Sequence, residues 1–192
     1  MKSLETKKVI REQLLKKREL LLKEERALKD EIIFQKVIEL EEYQLSDSIL
    51  LYVNYRSEVS TYKILTHSLE LNKKVYCPKV ISDTEMQFYR IFHIDDLQKG
   101  YQGILEPVQN EYFFKGDRAL MILPMAGFDK KMNRLGYGKG YYDRFLEKNK
   151  EIRKLGISFE CQKWEKILPY ESTDVPLDMI ITEVDYYELG EK

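Results

Sequence analysis

Apolar residues in the first part of the chain recur at near-helical intervals between lysines and glutamates. This spacing predicts one or two amphipathic helices up to about Tyr43. No proline precedes Pro78 and no glycine precedes Gly100, so long regular elements are expected here. Asp30 is a candidate N-cap of the second helix. The apolar positions are Leu4, Ile10, Leu14, Leu21, Leu28, Ile32, Val37 and Ile38.

Short apolar runs replace the helical pattern in the rest of the chain and predict strands. They lie at 49–54, 74–80, 86–91, 120–124, 154–159 and 178–183. Helical stretches at 61–71 and 138–148 fall between them, and such alternation predicts an α/β fold with a mostly parallel sheet. No repeat or linker interrupts the pattern. We therefore expect a single domain over 1–192, with a helical part at 1–43 and an α/β core at 44–192.

The composition argues against several classes of partner and favours one cellular compartment. The chain has 192 residues, enough to bury a core without a covalent staple. Its 32 lysines and arginines nearly balance 33 acidic residues, which argues against a nucleic-acid-binding surface. Cys77 and Cys161 are too few for a disulfide framework and lack CxxC spacing. With no signal peptide or membrane span in the pattern, we expect a cytoplasmic protein without a membrane partner.

The segment RLGYGKGYYD, at 134–143, concentrates three glycines within five residues between an apolar run and an amphipathic stretch. Glycine permits close approach of the backbone to a ligand, and a helix N-terminus offers free N–H groups to an anion. Arg134 and Lys139 add positive charge, so the spacing favours a polyphosphate site. The alternative is a strand-to-helix turn with solvated basic side chains. The spacing fits neither a Walker A loop nor GxGxxG.

These residues, with their flanks, resemble a known family. The run PMAGFDKKMNRLGYGKGYYDRFL, at 124–146, is similar to the signature of the 5-formyltetrahydrofolate cyclo-ligases, also called 5,10-methenyltetrahydrofolate synthetases. Further similar segments lie near the N-terminus and at 57–61, 103–107 and 168–178. The resemblance implies a three-layer α/β domain, preceded by helices and related to the phosphosugar-isomerase and CoA-transferase type of fold.

The resemblance also implies a reaction: ATP- and Mg²⁺-dependent closure of 5-formyltetrahydrofolate to 5,10-methenyltetrahydrofolate, with release of ADP and phosphate. A formyl group on nitrogen is an amide, whose carbon is a weak electrophile and whose oxygen leaves poorly. Phosphorylation of that oxygen allows the neighbouring nitrogen to attack the carbon. The protein's contribution to such a transfer is positioning and charge stabilisation.

The resemblance assigns roles to sixteen residues, and Arg134 and Lys139 among them are the candidate catalytic side chains. As a loop residue beside glycines, Arg134 is expected to have little packing to lose. The candidate substrate-binding residues are Val53, Glu58, Tyr137, Gly138, Lys139, Gly140 and Tyr141. The candidate Mg²⁺ ligands are Asp143 and Asp174. The candidate ATP-binding residues are Lys7, Lys8, Arg11, Arg134, Leu135, Gly136, Tyr137, Gly138, Lys139, Gly140, Tyr141 and Tyr142.

Taken without the resemblance, several of these residues have simpler interpretations. Lys7 and Arg11 are then a solvated helix face, Glu58 is an exposed loop carboxylate, and the two aspartates are caps or surface charges. Two other functions also stay open: a phosphosugar isomerase on a related fold, and a nucleotide-binding module without catalysis. For all of these we expect small-molecule ligands and a monomer or weak homodimer.

Overall fold

The computed structural model describes residues 6–108 and 119–188. Within these ranges the chain forms five α-helices, and none is long and apolar enough to cross a membrane. Three short 3₁₀ turns lie at Ile94–Asp96, Tyr101–Gly103 and Glu160–Gln162. The α-helices are α1 (Lys7–Glu19), α2 (Lys23–Glu39), α3 (Glu41–Leu45), α4 (Tyr62–Glu70) and α5 (Tyr141–Lys148).

The predicted N-terminal helices are present, but the second begins earlier than the sequence suggested. The hydroxyl of Thr6 caps α1 by accepting a hydrogen bond from the backbone N–H of Val9. Leu22 precedes α2 without a side-chain cap. The predicted cap at Asp30 is wrong because this residue lies inside α2, where its carboxylate accepts from the backbone N–H of Ser60 at 3.0 Å.

Twelve strands are described, and seven of them form the central sheet. The order in this sheet is β12-β11-β9-β6-β1-β2-β3. The five inner strands are parallel to one another, and β12 and β3 are antiparallel at the edges. The strands are β1 (Ser48–Leu51), β2 (Lys74–Val80), β3 (Met86–Ile91), β4 (Leu97–Lys99), β5 (Leu105–Pro107), β6 (Ala119–Leu123), β7 (Gly127–Asp129), β8 (Arg134–Leu135), β9 (Arg153–Ile157), β10 (Lys163–Trp164), β11 (Met179–Ile181) and β12 (Tyr186–Glu188).

Side chains of the inner strands alternate between two apolar cores, one on each face of the sheet. In β1, Ile49 and Leu51 belong to the core that includes α2 and α4, whereas Leu50 belongs to the opposite core with Phe145 of α5. Both faces of a parallel sheet must be covered in this way because its inner strands are apolar on both sides. The predicted α/β fold with a mostly parallel, three-layer arrangement is confirmed.

Strand β1 ends at Leu51, three residues earlier than predicted. Residues 52–54 therefore lie in the loop that follows this strand. The hydroxyl of Thr61 donates to the carbonyl oxygen of Tyr52 and accepts from the backbone N–H of Asn54. These bonds replace ladder hydrogen bonds beyond Leu51. Leu51 is paired with Ile122 of β6, so the loops after β1 and β6 leave the same edge of the sheet side by side.

Candidate active site

A cleft of about 1270 Å³ lies beyond the carboxyl ends of β1 and β6. Ligands of open α/β sheets bind at this edge. The sixteen residues that the sequence singled out come from four separated segments, and the structure brings all of them into the wall of this one cleft. They are Lys7, Lys8, Arg11, Val53, Glu58, Arg134, Leu135, Gly136, Tyr137, Gly138, Lys139, Gly140, Tyr141, Tyr142, Asp143 and Asp174.

The glycine loop runs from β8 to the N-terminus of α5. Gly138 and Gly140 have φ angles of 96° and 68°, a conformation that side-chain-bearing residues rarely adopt. Gly140 precedes α5 without a side-chain cap, so the first backbone N–H groups of α5 have no capping side chain. A Cβ atom on Gly140 would lie 2.7 Å from Nη1 of Arg144. The backbone conformation therefore favours glycine at both positions, and a side chain at Gly140 would also displace the guanidinium of Arg144.

Arg134 lies in β8 with its side chain buried, so the expectation that it has little packing to lose is wrong. Its side chain is only 3% exposed and forms an ion pair with Asp143, with Nη2 and Oδ1 at 2.8 Å. Asp143 also accepts from the backbone N–H of Val175 at 3.3 Å. The Nε atom of Arg134 is buried without a partner among the described residues, so the guanidinium keeps an unsatisfied donor beside the glycine loop.

Helix α1 supplies further basic side chains to the wall of the cleft. Lys7 pairs with Asp174 at 2.5 Å and with Glu171 at 3.0 Å. Burial acts to lower the pKa of Lys7, but these two carboxylates outweigh it and the pKa is raised. Arg11 donates from Nε to the carbonyl oxygen of Gly136 at 2.7 Å, so α1 is fastened directly to the glycine loop.

Lys8 and Lys139 differ from their basic neighbours because both are exposed. The ammonium group of Lys139 makes no hydrogen bond or ion pair with any residue that the structure describes. It stands in the same loop as the two positive-φ glycines. An unpaired ammonium in this position can bind a ligand anion without first breaking an internal ion pair.

Glu58 lies on the side of the cleft formed by the loop after β1. Its Oε2 accepts from the backbone N–H of Tyr55 at 2.8 Å. Burial raises its pKa, although hydrogen bonds from Tyr137 and Tyr55 and the charge of Arg18 act in the opposite direction. Val53, half-buried, lines the cleft close by in sequence. The neighbouring wall is therefore partly apolar and partly acidic.

Three arginines in the cleft wall, Arg18, Arg56 and Arg144, were not predicted from the sequence. Arg144 donates from Nη2 to the carbonyl oxygen of Lys139 at 2.7 Å and thereby supports the glycine loop. Arg18, near the end of α1, is buried and donates to Ser57 and Tyr137. A signal for Arg18 exists, because it follows Arg11 by seven residues and so shares its helix face.

The two candidate metal ligands each face a cation. Asp143 pairs with Arg134, and Asp174 pairs with Lys7. Within residues 6–108 and 119–188, no three acidic, histidine or cysteine side chains are grouped as an all-protein metal site. Two carboxylates on one cleft nevertheless fit the usual mode for Mg²⁺ with ATP, in which one or two carboxylates act together with phosphate oxygens and water.

Comparisons with known proteins give consistent matches to one family. The model of the 5-formyltetrahydrofolate cyclo-ligase family matches residues 3–183. The chain is 34% identical to the 5-formyltetrahydrofolate cyclo-ligase of Mycoplasma pneumoniae, covering 92% of this chain and 98% of the relative. It is also 34% identical to the enzyme of that name from Haemophilus influenzae, covering 77% and 82% of the two chains.

Two solved structures are similar over almost the whole chain. The 5,10-methenyltetrahydrofolate synthetase of Aquifex aeolicus superposes with a TM-score of 0.84 at 32% identity, covering 97% of this chain and 94% of its own. The synthetase of Mycoplasma pneumoniae gives a TM-score of 0.70 at 30% identity, covering 92% and 98%. Because the family model, the relatives and the solved structures agree, the chain belongs to the 5-formyltetrahydrofolate cyclo-ligase family.

Proposed function

We propose that this cleft binds ATP with Mg²⁺ and 5-formyltetrahydrofolate side by side and joins them in an ATP-dependent ring closure. The observation that carries the proposal is the convergence of all sixteen candidate residues on one cleft. Its volume of about 1270 Å³ exceeds the roughly 300–1,000 Å³ of an ordinary small-molecule pocket. Such a cleft suits two substrates, which must meet for group transfer.

The phosphates of ATP are assigned to the glycine loop and the N-terminus of α5. Backbone N–H groups, the exposed ammonium of Lys139 and the guanidinium of Arg11 converge there. The unsatisfied Nε of Arg134 would gain a partner from a ligand that brings an oxygen to this position. Lys139 and Arg134 then stabilise negative charge on the phosphoryl group during its transfer.

Asp143 and Asp174 are the residues that would hold Mg²⁺ against the ATP phosphates. When bound, the ion neutralises phosphate charge and polarises the bond to the leaving group. In the described structure these carboxylates neutralise Arg134 and Lys7 instead. When ATP binds with its metal, the two carboxylates would contact the ion. Arg134 and Lys7 would then pair with phosphate oxygens instead.

The chemistry follows from the bonds that must change. The formyl oxygen attacks the γ-phosphorus of ATP, and the bond from that phosphorus to the ADP oxygen breaks. The nitrogen N10 then attacks the formyl carbon and loses its proton, and the bond from carbon to the phosphate oxygen breaks. The products are 5,10-methenyltetrahydrofolate, ADP and phosphate. Because no protein nucleophile is needed, a cleft that positions two ligands and stabilises charge is sufficient.

An absorbance assay for 5,10-methenyltetrahydrofolate tests this function. The purified chain should form the product when 5-formyltetrahydrofolate, ATP and Mg²⁺ are all present, and should not form it when ADP replaces ATP. Folded protein that binds ATP without making product would contradict the proposal and favour a nucleotide-binding module. The cytoplasmic location, the single-domain organisation and the monomeric or weakly dimeric state remain predictions from the sequence.

A further inference from the structure

Arg144 of α5 holds two backbone carbonyl groups that belong to separate segments of the chain. Its Nη2 donates to the carbonyl oxygen of Lys139 in the glycine loop, and its Nε donates to the carbonyl oxygen of Thr84, each at 2.7 Å. Thr84 lies between β2 and β3, in residues 81–85, which we call the β2–β3 turn. One guanidinium therefore joins this turn to the glycine loop. Its planar shape and fixed donors suit a double contact of this kind.

The contacts of Arg144 fix the orientation of two peptide groups at the end of the glycine loop. Its side chain holds the carbonyl oxygen of Lys139, and its backbone N–H donates to the carbonyl oxygen of Gly140 at 3.1 Å. In a trans peptide the C=O and N–H bonds point in opposite directions, so the N–H groups of Gly140 and Tyr141 are turned away from these carbonyl groups. Neither N–H group has an acceptor among the residues that the structure describes, and both residues line the cleft.

The glycine loop is held at both ends by arginines from different helices. Arg11 of α1 donates to the carbonyl oxygen of Gly136 at one end, and Arg144 holds the carbonyl oxygen of Lys139 at the other. With these carbonyl groups bound by the protein, the free N–H groups at the start of α5 remain for an anion. Arg144 therefore shapes the site, although it is not one of the predicted ATP-binding residues.

The β2–β3 turn is ordered by the hydroxyl group of Ser82. Its Oγ accepts from the backbone N–H of Thr84 at 3.3 Å and from that of Glu85 at 3.0 Å. The hydroxyl of Tyr141 donates to the carbonyl oxygen of Ser82 at 3.3 Å, which is a second link between the turn and α5. The turn is thus a defined structure against which Arg144 is fixed. Ser82 itself is not among the residues that line the cleft.

We propose that Arg144 is a positioning residue for ATP, which couples the β2–β3 turn to the backbone N–H groups that receive the phosphates. This inference rests on the proposed function, since it takes ATP as the ligand of the glycine loop. Arg144 acts through the backbone of the loop, so the geometry of its guanidinium matters more than its charge. A lysine at this position keeps the charge, but its ammonium is a point donor without the planar fork that joins two carbonyl groups.

Steady-state kinetics separate a positioning role from other roles. In Arg144→Met the loop must be ordered when ATP binds, and this cost is the same in the ground state and in the transition state. The KM for ATP should therefore rise about tenfold while kcat at saturating ATP stays nearly unchanged. Arg144→Lys should show nearly the same increase in KM. A group that stabilises the transition state, or a variant that is partly unfolded, would lower kcat instead.

Lys148→Met is the matched control. Lys148 also lies on α5 and pairs with Glu85 of the β2–β3 turn at 3.2 Å, but its side chain is 68% exposed and contacts no described residue of the glycine loop. Its KM for ATP should equal that of the wild-type protein. Melting curves of all variants show whether the fold is retained.

A double-mutant cycle tests the coupling itself. Ser82→Ala removes the two hydrogen bonds that order the turn, and should raise the KM for ATP about threefold in the wild-type background. In the Arg144→Met background it should cause no further increase, because the turn is then no longer joined to the loop. If Arg144→Met is unfolded, Ser82→Ala alone still has to raise this KM.

Three outcomes would overturn the inference while leaving the proposed function standing. They are a normal KM for ATP in Arg144→Met or in Ser82→Ala, additive effects of the two substitutions, and full recovery in Arg144→Lys, which would show that charge alone is needed. Calorimetric titration of the wild-type protein with ATP and Mg²⁺, without 5-formyltetrahydrofolate, checks the premise. Absence of both ATP binding and product formation there would overturn the proposed function together with this inference.

Discussion

The buried ion pair between Arg134 and Asp143 should contribute both to the stability of the fold and to the binding of ATP. We expect Arg134→Ala to impair ATP use and also to lower the melting temperature. Loss of a charged hydrogen bond costs about 2 kcal/mol, which corresponds to about 4–8 °C for a chain of this size. Calorimetric melting and ATP titration of the same sample measure the two effects separately.

Arg153→Ala is the matched control for this substitution. Arg153 also contacts carboxylates, but its side chain is 46% exposed, and surface pairs contribute little to stability. Its melting temperature and ATP affinity should stay close to those of the wild-type protein. Equal melting shifts in the two variants, or normal ATP affinity in Arg134→Ala, would contradict the role assigned to Arg134.

Glu58 is expected to act on folate rather than on ATP. Glu58→Gln should raise the KM for 5-formyltetrahydrofolate about tenfold or more, because a charged acceptor is lost, and should change the KM for ATP much less. Burial raises the pKa of Glu58, so the wild-type protein loses this carboxylate charge at a higher pH than an exposed glutamate does. Folate affinity should therefore weaken as the pH falls through this raised pKa.

Steady-state kinetics from about pH 5 to about pH 8 measure this dependence. The side chains that interact electrostatically with Glu58 are Arg18, Tyr52, Tyr137 and Tyr142. Burial raises the pKa of each of the three tyrosines, so the tyrosines stay neutral in this range. The Gln variant should lack the loss of folate affinity at low pH. A variant with the same pH profile as the wild-type protein would show that another group is responsible.

Individual side chains were predictable only where the sequence carried a motif. The glycine segment identified the neighbourhood of Lys139 and Asp143, and the structure places both in the cleft wall. Arg18 was missed because it stands among exposed lysines in the run KKRE, with no local mark of burial. Its partners Ser57 and Tyr137 lie 39 and 119 residues away along the chain. Burial of this kind arises only when the fold brings those segments together.

At the scale of elements, the glycine loop depends on backbone shape. Gly140→Ala should lower ATP affinity about tenfold or more, because a methyl group forces a shift of Arg144 and strains a backbone with φ of 68°. Gly103→Ala is a matched control with a positive φ of 80° and no atom within 4 Å of the added carbon. Calorimetric ATP titration should show normal affinity in Gly103→Ala. Equal ATP affinities in the two variants would show that the loop shape does not matter for binding.

Helix α1 is an element whose packing and ligand binding should be coupled. Leu14 is fully buried against Leu135 and Leu168, and its side chain covers Gly127. Leu14→Ala should cost about 2–5 kcal/mol and lower the melting temperature by about 4–20 °C. Because α1 carries Arg11 to the glycine loop, the KM for ATP should rise as well.

Leu20→Ala provides the comparison, since Leu20 is 72% exposed just after α1. Kinetic assays run well below both melting temperatures keep unfolding from affecting the result. Leu20→Ala should leave stability and the KM for ATP nearly unchanged. A Leu14→Ala protein that melts lower yet binds ATP normally would contradict the contribution of α1 to the site.

Elements with a clear period were predicted well, and elements without one were missed. The predicted strands at 74–80 and 86–91 coincide with β2 and β3. By contrast, β7, β8 and β10 contain only two or three residues, too few to show an alternation. They form the small sheet that holds Arg134 next to the glycine loop, so the burial of this arginine could not be predicted. Short strands are determined by the segments with which they pair.

At the scale of the whole molecule, charge is balanced in the cleft as it is in the chain. Among the described residues the cleft is lined by eight basic and seven acidic side chains. The near-neutral sequence argued against a broad basic surface, but it did not show how charges pair inside the site. A cleft with this balance has too little positive charge for the four negative charges of free ATP. It suits ATP that carries a divalent cation.

This balance predicts the response of the whole site to magnesium. Asp143→Asn and Asp174→Asn should each raise the Mg²⁺ concentration at half-maximal activity, because an amide lacks the charge that offsets dehydration of the ion. Asp143 should matter more, since it also pairs with the buried guanidinium of Arg134 and accepts from the backbone N–H of Val175, whereas the pair of Asp174 with Lys7 is more exposed.

Titration of Mg²⁺ at saturating ATP and 5-formyltetrahydrofolate measures the shift, with melting curves to exclude unfolding. Asp178→Asn is a suitable control, because Asp178 is a carboxylate that pairs with Lys154 and is not among the residues that line the cleft. Its half-saturating Mg²⁺ concentration should equal that of the wild-type protein. An unchanged Mg²⁺ requirement in Asp143→Asn, with nearly normal activity, would remove Asp143 from the metal site. Its role would then be to fix the side chain of Arg134 in β8 from the first turn of α5.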